Sequence, residues 1–468
     1  MRNHILANLG FLLQISGLLT IIPIGLGLYF NETQQLVPLF LVCVAFLGSG
    51  FLLNALCERK DLDFKSSSML LLAAFIILPL IGSIPYVYGD PFNSPNALDR
   101  FTNGYFESVS GFTTTGFSFI TNVEALPRSM LVYRSLTELM GGVGVVFLIL
   151  AFFQSKKAIS NLGNTLGIDN LNGNLKKMFF SVFAIYGCYI AVFIGLFYAL
   201  GFTDLVKTGS FTIDTLTGGF SPSAQQFGQY LFLRPKILMI ILMVSGSVNF
   251  SFNYYLFTRK IRKMISAEIA LFLLIIAFAS IAVYLSTKVA FVDSLFHVVS
   301  MASSTGYDYL NIMSLNGTAI SIFISLILIG GCSFSMAGGI RMGRLVTFAK
   351  SLRQSIKGIF IKENAFTKGK LSDINYSEYV PALISILLFI AFLVVFAMLL
   401  TTMGVSFSDA IFEIGSALST NGVSMGATTV AMPIAHKWLI VAAMTIGRVE
   451  ILTIIIALIP YKILGQKD

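Results

Sequence analysis

The stretch SGFTTTGFS at residues 110–118 sets three threonines between two glycines, with no charged side chain in the run. The chain around it is apolar, since 56 % of its 468 residues are hydrophobic and only 11 % are charged. A soluble globular domain carries about 25 % charged residues, so this chain lacks the side chains to cover a surface in water. The composition predicts an integral membrane protein, in which an uncharged polar stretch needs an explanation.

The hydropathy pattern predicts ten membrane-spanning helices, because a helix needs roughly 20 apolar residues to cross a bilayer. No small-residue cleavage site closes the first apolar segment, so we expect no cleavable signal peptide. The ten segments lie at about residues 10–30, 36–57, 68–88, 129–153, 178–200, 236–257, 268–287, 318–349, 379–402 and 438–461.

The loops between these segments alternate in charge. One set carries 22 Lys and Arg against 9 Asp and Glu, and the opposite set carries 7 against 11. Basic loops stay on the cytoplasmic side of a membrane, so both termini are expected in the cytoplasm and the protein in the cytoplasmic (inner) membrane. The net charge of +9 follows from this bias and indicates no nucleic-acid partner, whereas membrane lipids are expected to surround the chain.

Cysteine and histidine indicate neither a metal centre nor a disulfide framework, because they are few and scattered. We therefore expect no bound cofactor. The residues are Cys43, Cys57, Cys188, Cys332, His4, His297 and His436.

The opening stretch belongs to a repeat. FESVSGFTTTG at 106–116, FHVVSMASSTG at 296–306 and FEIGSALSTNG at 412–422 align without gaps, and each follows an odd-numbered segment. TGSFTIDTLTG at 208–218 is a more divergent copy. The chain thus divides into two N-terminal helices and four units of helix, half-buried loop and helix. The predicted boundaries are 1–66, 67–157, 175–263, 264–360 and 375–468.

Four such loops can form an ion filter. Non-helical backbone at membrane depth is tolerated only where it is buried in protein or lines a watery cavity. Rings of backbone carbonyls can replace the water around an alkali cation, and glycine permits the dihedrals that aim them. The short helices would also direct their partially negative C-terminal ends to the axis. The alternative interpretation is that these are coincidental polar turns, but coincidence does not explain four copies in equivalent places.

These motifs resemble the Trk/Ktr/HKT superfamily of potassium transporters, and most closely its TrkH branch, which has two extra N-terminal helices. The likeness covers nearly the whole chain. The motifs are TTTGFS at 113–118, LTGGFSPS at 216–223, SSTGYD at 303–308, STNG at 419–422, MGGVGVV at 140–146, GSVNFSFNYY at 246–255, GGCSFSMAGGIRMGR at 330–344 and GRVEILT at 447–453.

The resemblance implies an all-α membrane protein that takes up potassium through one pore per chain, as a homodimer. It also implies a cytoplasmic regulatory partner of the TrkA type, a nucleotide-binding ring. Gly116 stands where sodium-transporting relatives carry serine, which favours potassium. The filter residues that it implies are Thr114, Thr115, Gly116, Leu216, Thr217, Gly218, Ser304, Thr305, Gly306, Thr420, Asn421 and Gly422.

The eighth segment is too long for one crossing, and its glycines predict a break inside the membrane. In the family, the matching loop at 331–339 is an intramembrane gate. Close helix packing at the glycine pairs is the alternative interpretation. Phe334, Met336 and Arg341 depart from the Gly, Thr and Lys usual in the family. The implied gate residues are Gly331, Ser333, Phe334, Ser335, Met336, Gly338, Gly339, Arg341 and Arg448.

Four charged residues lie within the predicted spans, where charges are costly and are usually paired or functional. Arg134 and Glu138, four residues apart on one helix face, are expected to neutralise each other. Arg448 lies too close to Glu450 along the helix to face it, so it should bind carbonyls of the broken segment. There it is expected to brace or gate the pore, and a packing anchor between the units is the alternative.

Three carboxylates near the loops need roles of their own. Glu107 and Glu413 are expected to anchor the short helices rather than to attract cations. Asp308, two residues past Gly306, is expected to meet entering ions.

Two other classes compete with a channel-like pore. A secondary transporter could couple sodium or protons to transport through broken helices. The four loops, and the lack of an evident intramembrane carboxylate pair, favour the pore. A membrane scaffold gives no reason for the repeat, and no set of residues indicates an enzyme.

Overall fold

The structure, a computed structural model, describes residues 2–58, 60, 62–152, 175–220, 232–260, 264, 266–310, 312, 315–360 and 376–459. All regular secondary structure in these ranges is helical, which confirms the all-α class. The helices are α1 (Arg2–Leu19), α2 (Ile21–Tyr29), α3 (Thr33–Leu56), α4 (Phe64–Gly82), α5 (Ile84–Gly89), α6 (Ala97–Phe112), α7 (Arg128–Phe152), α8 (Leu175–Ala199), α9 (Leu205–Thr217), α10 (Leu233–Ser247), α11 (Phe250–Phe257), α12 (Ala267–Thr287), α13 (Phe291–Ala302), α14 (Gly317–Ile329), α15 (Met342–Phe360), α16 (Tyr376–Thr402), α17 (Phe407–Leu418), α18 (Ile434–Val449) and α19 (Ile451–Leu458), with a 3-10 turn at Val123–Ala125.

The protein is a multi-pass membrane protein. Six helical stretches in the described ranges are long and apolar enough to cross a bilayer, or eight if each sharply bent pair counts as one span. The count of ten stays a prediction. The six stretches are Asn3–Tyr29, Thr33–Leu56, Lys65–Gly89, Ser181–Ala199, Ala267–Thr287 and Tyr379–Thr402.

One order of elements recurs four times after α3: a long helix, a short helix of 12 to 16 residues, a loop and a second helix. The short helices are α6, α9, α13 and α17, and the second helices begin at α7, α10, α14 and α18. The predicted connections at 158–174 and 361–374 lie outside the described residues, so the unit boundaries stay predictions.

Polar side chains cap the N-terminal ends of three of the short helices. Asn96, Asp204 and Ser406 each accept a hydrogen bond from a backbone amide in the first turn, which satisfies a donor that the helix leaves free. Partial burial alone would raise the pKa of Asp204. The Lys207 amide and the Arg128 guanidinium, which donate hydrogen bonds to its carboxylate, lower that pKa below its ordinary value instead.

Three of the second helices break beside the loops. α10 and α11 meet at an angle of 113°, and α18 and α19 meet at 92° beside Glu450. The break predicted in the eighth segment is confirmed: α14 ends at Ile329, α15 begins at Met342, and residues 330–341 between them, here named the inner loop, are not helical.

Glycines let the second helices press on the ends of the short helices. A Cβ on Gly141 would lie 1.9 Å from the Phe112 carbonyl oxygen, and one on Gly447 would lie 2.1 Å from that of Leu418. Such distances are far inside van der Waals contact, so only a hydrogen fits there. Two core clusters form around these contacts: one contains residues of the first and fourth units with the N-terminal helices, and the other residues of the second and third.

Gly447→Ala should therefore destabilise the protein. Overpacking a close backbone contact costs about 1–3 kcal/mol, so thermal melting of the purified protein in detergent should shift several degrees lower. Gly187→Ala is the matched control, because nothing lies within 4 Å of a Cβ there and alanine favours the helix. Equal melting temperatures for the two variants would contradict the close contact.

Candidate functional site

The loops that follow the four short helices touch one another in cyclic order. They are loop 1 (113–116), loop 2 (218–220), loop 3 (303–306) and loop 4 (419–422). At each junction, a glycine of one loop lies so close to a carbonyl of the next that a Cβ would collide with it. The Cβ-to-oxygen distances are 2.4 Å from Gly116 to Gly219, 1.6 Å from Gly219 to Thr305, 1.8 Å from Gly306 to Asn421 and 1.9 Å from Gly422 to Thr115. The four loops therefore close a ring.

Loops 1, 3 and 4 share one turn. Each places a non-glycine residue in the left-handed region, at a cost of about 1–3 kcal/mol, which surrounding contacts must offset. The next residue donates its amide to the carbonyl of the serine that recurs in the sequence repeat, as in a Schellman cap. The left-handed residues are Thr114 (φ 55°), Ser304 (φ 58°) and Thr420 (φ 48°). The amide bonds run from Thr115 to Ser110 (2.9 Å), Thr305 to Ser300 (3.1 Å) and Asn421 to Ser416 (2.9 Å).

Loop 2 has a different register. Its helix continues through Thr217, and Gly218 (φ 139°) and Gly219 (φ 89°) make the turn. Gly219, which the sequence alignment does not place in the site, takes the ring position of Gly116. Gly218 packs on the Thr114 carbonyl, with 2.5 Å from its Cβ position to the oxygen. The Leu216 carbonyl lies against Gly246 of the second helix, 2.2 Å from a Cβ there.

Side chains of the short helices hold the segments that follow loops 1, 3 and 4. These segments, residues 117–120, 307–310 and 423–426, are here named the outer arms. The anchoring role expected of two glutamates is confirmed, and His297 takes the same place in the third unit. Sequence reasoning missed His297, although it aligns with both glutamates in the repeat. The backbone amide three residues past the ring glycine donates in every case: Phe119 to Glu107 (3.0 Å), Tyr309 to His297 Nε2 (3.4 Å) and Met425 to Glu413 (2.8 Å).

The expected pair of Arg134 with Glu138 is wrong. Arg134 instead forms a buried ion pair with Glu107, at 2.9 Å, and its guanidinium lies 4.1 Å above the ring of Phe220. Glu138 is occupied by loop 2, since it accepts the Phe220 amide at 2.7 Å. Three-dimensional neighbours thus outcompete the residue four positions along the helix.

The structure also brings together two carboxyl groups that looked unrelated in the sequence. Glu138 of α7 and Asp214 of α9 are both buried. Thr217, which follows Asp214 by one turn of α9, donates its hydroxyl to Glu138 at 3.3 Å, so both carboxyl groups lie beside loop 2. The membrane interior therefore holds two neighbouring carboxyl groups, although no such pair was evident in the sequence.

The inner loop lies directly against the ring, on the side away from the outer arms. The Gly338 amide donates to Ser304 Oγ at 3.2 Å, and a Cβ on Gly338 would lie 2.4 Å from the Ser419 carbonyl. Met336 Sδ lies 3.4 Å from the Cβ position of Gly142 in α7. The predicted residues Gly338 and Met336 are thus placed next to three of the units at once.

Arg448 holds the inner loop from the fourth unit. It is 3 % exposed and donates to the carbonyls of Met336, at 2.8 Å, and Gly141, at 3.1 Å. The expectation that Arg448 binds carbonyls of the broken segment is confirmed. Arg341 and Arg344 both pair with Glu450.

Asp308 lies two residues beyond the ring glycine of loop 3 and is half-buried. Its expected role in meeting entering ions stays a prediction.

The remaining residues of the inner loop bond among themselves or to their neighbours. The bonds of the inner loop run from the Ser333 amide to Glu268 (2.6 Å), the Phe250 amide to the Phe334 carbonyl (3.1 Å), Ser335 Oγ to the Cys332 carbonyl (2.7 Å) and the Met342 amide to the Gly331 carbonyl (2.9 Å), while Gly339 packs on Gly330.

Glu107→Ala should strongly destabilise the protein, because it leaves the Arg134 guanidinium buried without its carboxylate. Breaking one partner of a buried pair costs about 3–5 kcal/mol, which thermal melting in detergent would register as a large downward shift. Glu58→Ala is the control, since the Glu58 side chain is 81 % exposed. If both variants lowered the melting temperature by the same small amount, the Glu107–Arg134 ion pair would contribute nothing to stability.

A sequence model of the TrkH family, described as cation transport protein, matches residues 34–278 and 266–463. The chain is 32 % identical to an uncharacterized cation transporter, MJ1485, of Methanocaldococcus jannaschii, over 97 % of this chain and 94 % of the relative. It is 24 % identical to the Trk system potassium uptake protein TrkH of Halomonas elongata, over 97 % and 98 %.

A solved structure has the same fold. The crystal structure of the potassium transporter TrkH from Vibrio parahaemolyticus superposes with a TM-score of 0.82 at 19 % identity, over 98 % of this chain and 99 % of that one. The chain therefore belongs to the TrkH family of cation transport proteins, a family of membrane transporters and not of enzymes.

Proposed function

We propose that this protein conducts potassium ions across the cytoplasmic membrane through the ring of loops 1–4. The observation that carries the proposal is the closure of the ring by four uncharged loops within a membrane protein. Backbone carbonyls so arranged replace the hydration shell of an alkali cation without any carboxylate. The proposed ion-facing set is the predicted filter residues of loops 1, 3 and 4, with Gly218 and Gly219 in loop 2. Leu216 is left out, because its carbonyl packs against Gly246 of the second helix. Potassium is the substrate rather than a resident cofactor.

Two features favour potassium over sodium. The similar TrkH proteins of Halomonas elongata and Escherichia coli are named Trk system potassium uptake proteins. Gly116 in loop 1 also has no room for a side chain, since a Cβ would meet the Gly219 carbonyl at 2.4 Å. A serine there would displace a ring carbonyl and loosen the fit to the ion.

We infer that the inner loop is the gate. It packs under the ring and is tied to the break between α10 and α11 by the Cys332 amide, which donates to the Ser247 carbonyl at 2.9 Å. Opening therefore requires the loop to leave Ser304, Ser419 and the Arg448 guanidinium together. Phe334 and Met336 make the closed path more hydrophobic than the usual family residues would.

The assembly belongs to the same proposal. The family resemblance supports a homodimer with one pore per chain, and a cytoplasmic nucleotide-binding regulator of the TrkA type. The positive charge of one set of loops supports cytoplasmic termini. In this arrangement α15 lies on the cytoplasmic side, where the regulator would act. This helix continues from the inner loop and carries Arg344, Lys350 and Arg353.

An ion-coupled symporter of the same fold is the second candidate, and one observation favours it. The buried carboxyl groups of Glu138 and Asp214 lie beside loop 2, where Glu138 accepts the Phe220 amide. A transport cycle that carried a proton on these carboxyl groups would couple potassium uptake to the proton gradient.

Purified protein in liposomes should take up potassium and rubidium faster than sodium. Gly116→Ser should reduce this preference, because its side chain collides with the loop 2 carbonyl. Tracer fluxes of the three ions, with empty liposomes as the control, measure both effects. Equal sodium and potassium fluxes in the unaltered protein would contradict the potassium proposal, and an imposed proton gradient that drives potassium uphill would favour the symporter.

Arg448→Gln should raise the basal potassium flux of the protein without its regulator. The variant removes the charged donor that holds the Met336 carbonyl, so the inner loop is released more often. Arg353→Gln, at an exposed position of α15, is the matched control and should leave the flux unchanged. A variant that folds, by its melting curve, and conducts no faster than the unaltered protein would contradict the gate.

A further inference from the structure

Two lysines, the half-buried Lys236 and the buried Lys437, contact the outer arms of the ring in the same way. Lys236 lies in α10 of the second unit, and Lys437 lies in α18 of the fourth. Each stands ten residues before a glycine, Gly246 or Gly447, that packs on the carbonyl end of its own short helix. The two lysines therefore occupy equivalent positions in alternate units.

Lys236 reaches into the third unit. Its ammonium pairs with Asp293 of α13 and lies 5.0 Å from the centre of the Tyr309 ring. The Tyr309 hydroxyl donates to the same Asp293 carboxylate at 2.6 Å. Tyr309 is the residue whose amide is held by His297, so the lysine and the histidine secure one outer arm from two sides.

Lys437 reaches into the first unit by the same route. Its ammonium donates to Asn103 Oδ1 of α6 at 2.7 Å and lies 5.4 Å from the centre of the Phe119 ring. Asn103 and Asp293 both stand thirteen residues before their ring glycines, and Phe119 and Tyr309 both stand three after. The two contact sets are thus related residue by residue.

The lysines contact the outer arms of loops 1 and 3, and these two loops lie opposite each other in the cyclic order. In the first unit the equivalent position, ten residues before Gly141 in α7, is occupied by Leu131, so this unit has no lysine there to contact its neighbour.

Lys437 is 2 % exposed and faces a neutral amide, although burial of an ammonium is costly. A cation near the start of a short helix also gains nothing from the helix dipole. The amide oxygen and the aromatic face favour its place, and the Asp99 carboxylate, one turn before Asn103 in α6, adds an electrostatic attraction.

We propose that Lys236 and Lys437 are positioning residues that clamp the outer arms of loops 3 and 1 and so set the discrimination between potassium and sodium. The inference rests on the proposed potassium pathway. Each clamp joins one unit to the next in the ring, so the two clamps together fix the spacing of neighbouring units and hence the width of the ring. That width decides whether the carbonyls fit potassium or close further onto the smaller sodium.

The test uses Lys437→Met and Lys236→Met in the full-length protein, with two readouts. Hydrogen exchange measured by mass spectrometry should rise at 117–120 but not at 307–310 in Lys437→Met, and the reverse in Lys236→Met. In liposomes each variant should lower the ratio of potassium to sodium flux roughly fivefold, the effect of losing one cation–π contact. Arginine at either position should restore both readouts.

Lys288→Met is the matched control, because Lys288 is an exposed lysine at the end of α12. Phe119→Leu removes only the aromatic face and replaces Lys437→Met if that variant does not fold. Unchanged exchange in both arms would overturn the clamp, whatever the flux of the unaltered protein. Changed exchange with an unchanged flux ratio would overturn the selectivity role. Absence of potassium flux in the unaltered protein would instead contradict the proposed function.

Discussion

Backbone amides and carbonyls that leave a helix inside a membrane must find partners within the protein, because hydrocarbon offers none. Most of what surrounds loops 1–4 meets this need. The amides that turn away from the short helices bond to Ser110, Ser300 and Ser416, and the outer arms bond to Glu107, His297 and Glu413. Within the described ranges no amide or side chain donates a hydrogen bond to the carbonyls of Thr115, Gly219, Thr305 and Asn421, which leaves them available to a cation under our proposal.

The same constraint explains the glycines and the breaks. A second helix can approach the carbonyl end of a short helix only where it has no side chain, as at Gly141 and Gly447. Where α10 and α11 break apart, their free backbone groups need partners too, and the inner loop supplies them. Arg448, with several donors on one rigid group, satisfies carbonyls of the inner loop and of α7 together.

The sequence predicted the features that depend on local pattern. Three loops align by their spacing, and the structure gives them one turn; the glycines of residues 330–339 predicted the break after α14. What it missed depends on contacts between distant segments. The register of loop 2 changes because its helix runs one turn further, to Thr217. Arg134 pairs with Glu107 of another helix, and Asp214 meets Glu138 only in the folded chain. His297 was visible in the repeat, but its role became clear only from the amide it accepts.

The central claim is that the ring of loops 1–4 holds the transported ion. The most direct measurement is a crystal structure of the protein in rubidium, whose anomalous scattering locates the ion. We expect a peak inside the ring, within coordinating distance of the carbonyls of Thr115, Gly219, Thr305 and Asn421. A protein that transports rubidium in liposomes but shows no peak in the ring would contradict the account.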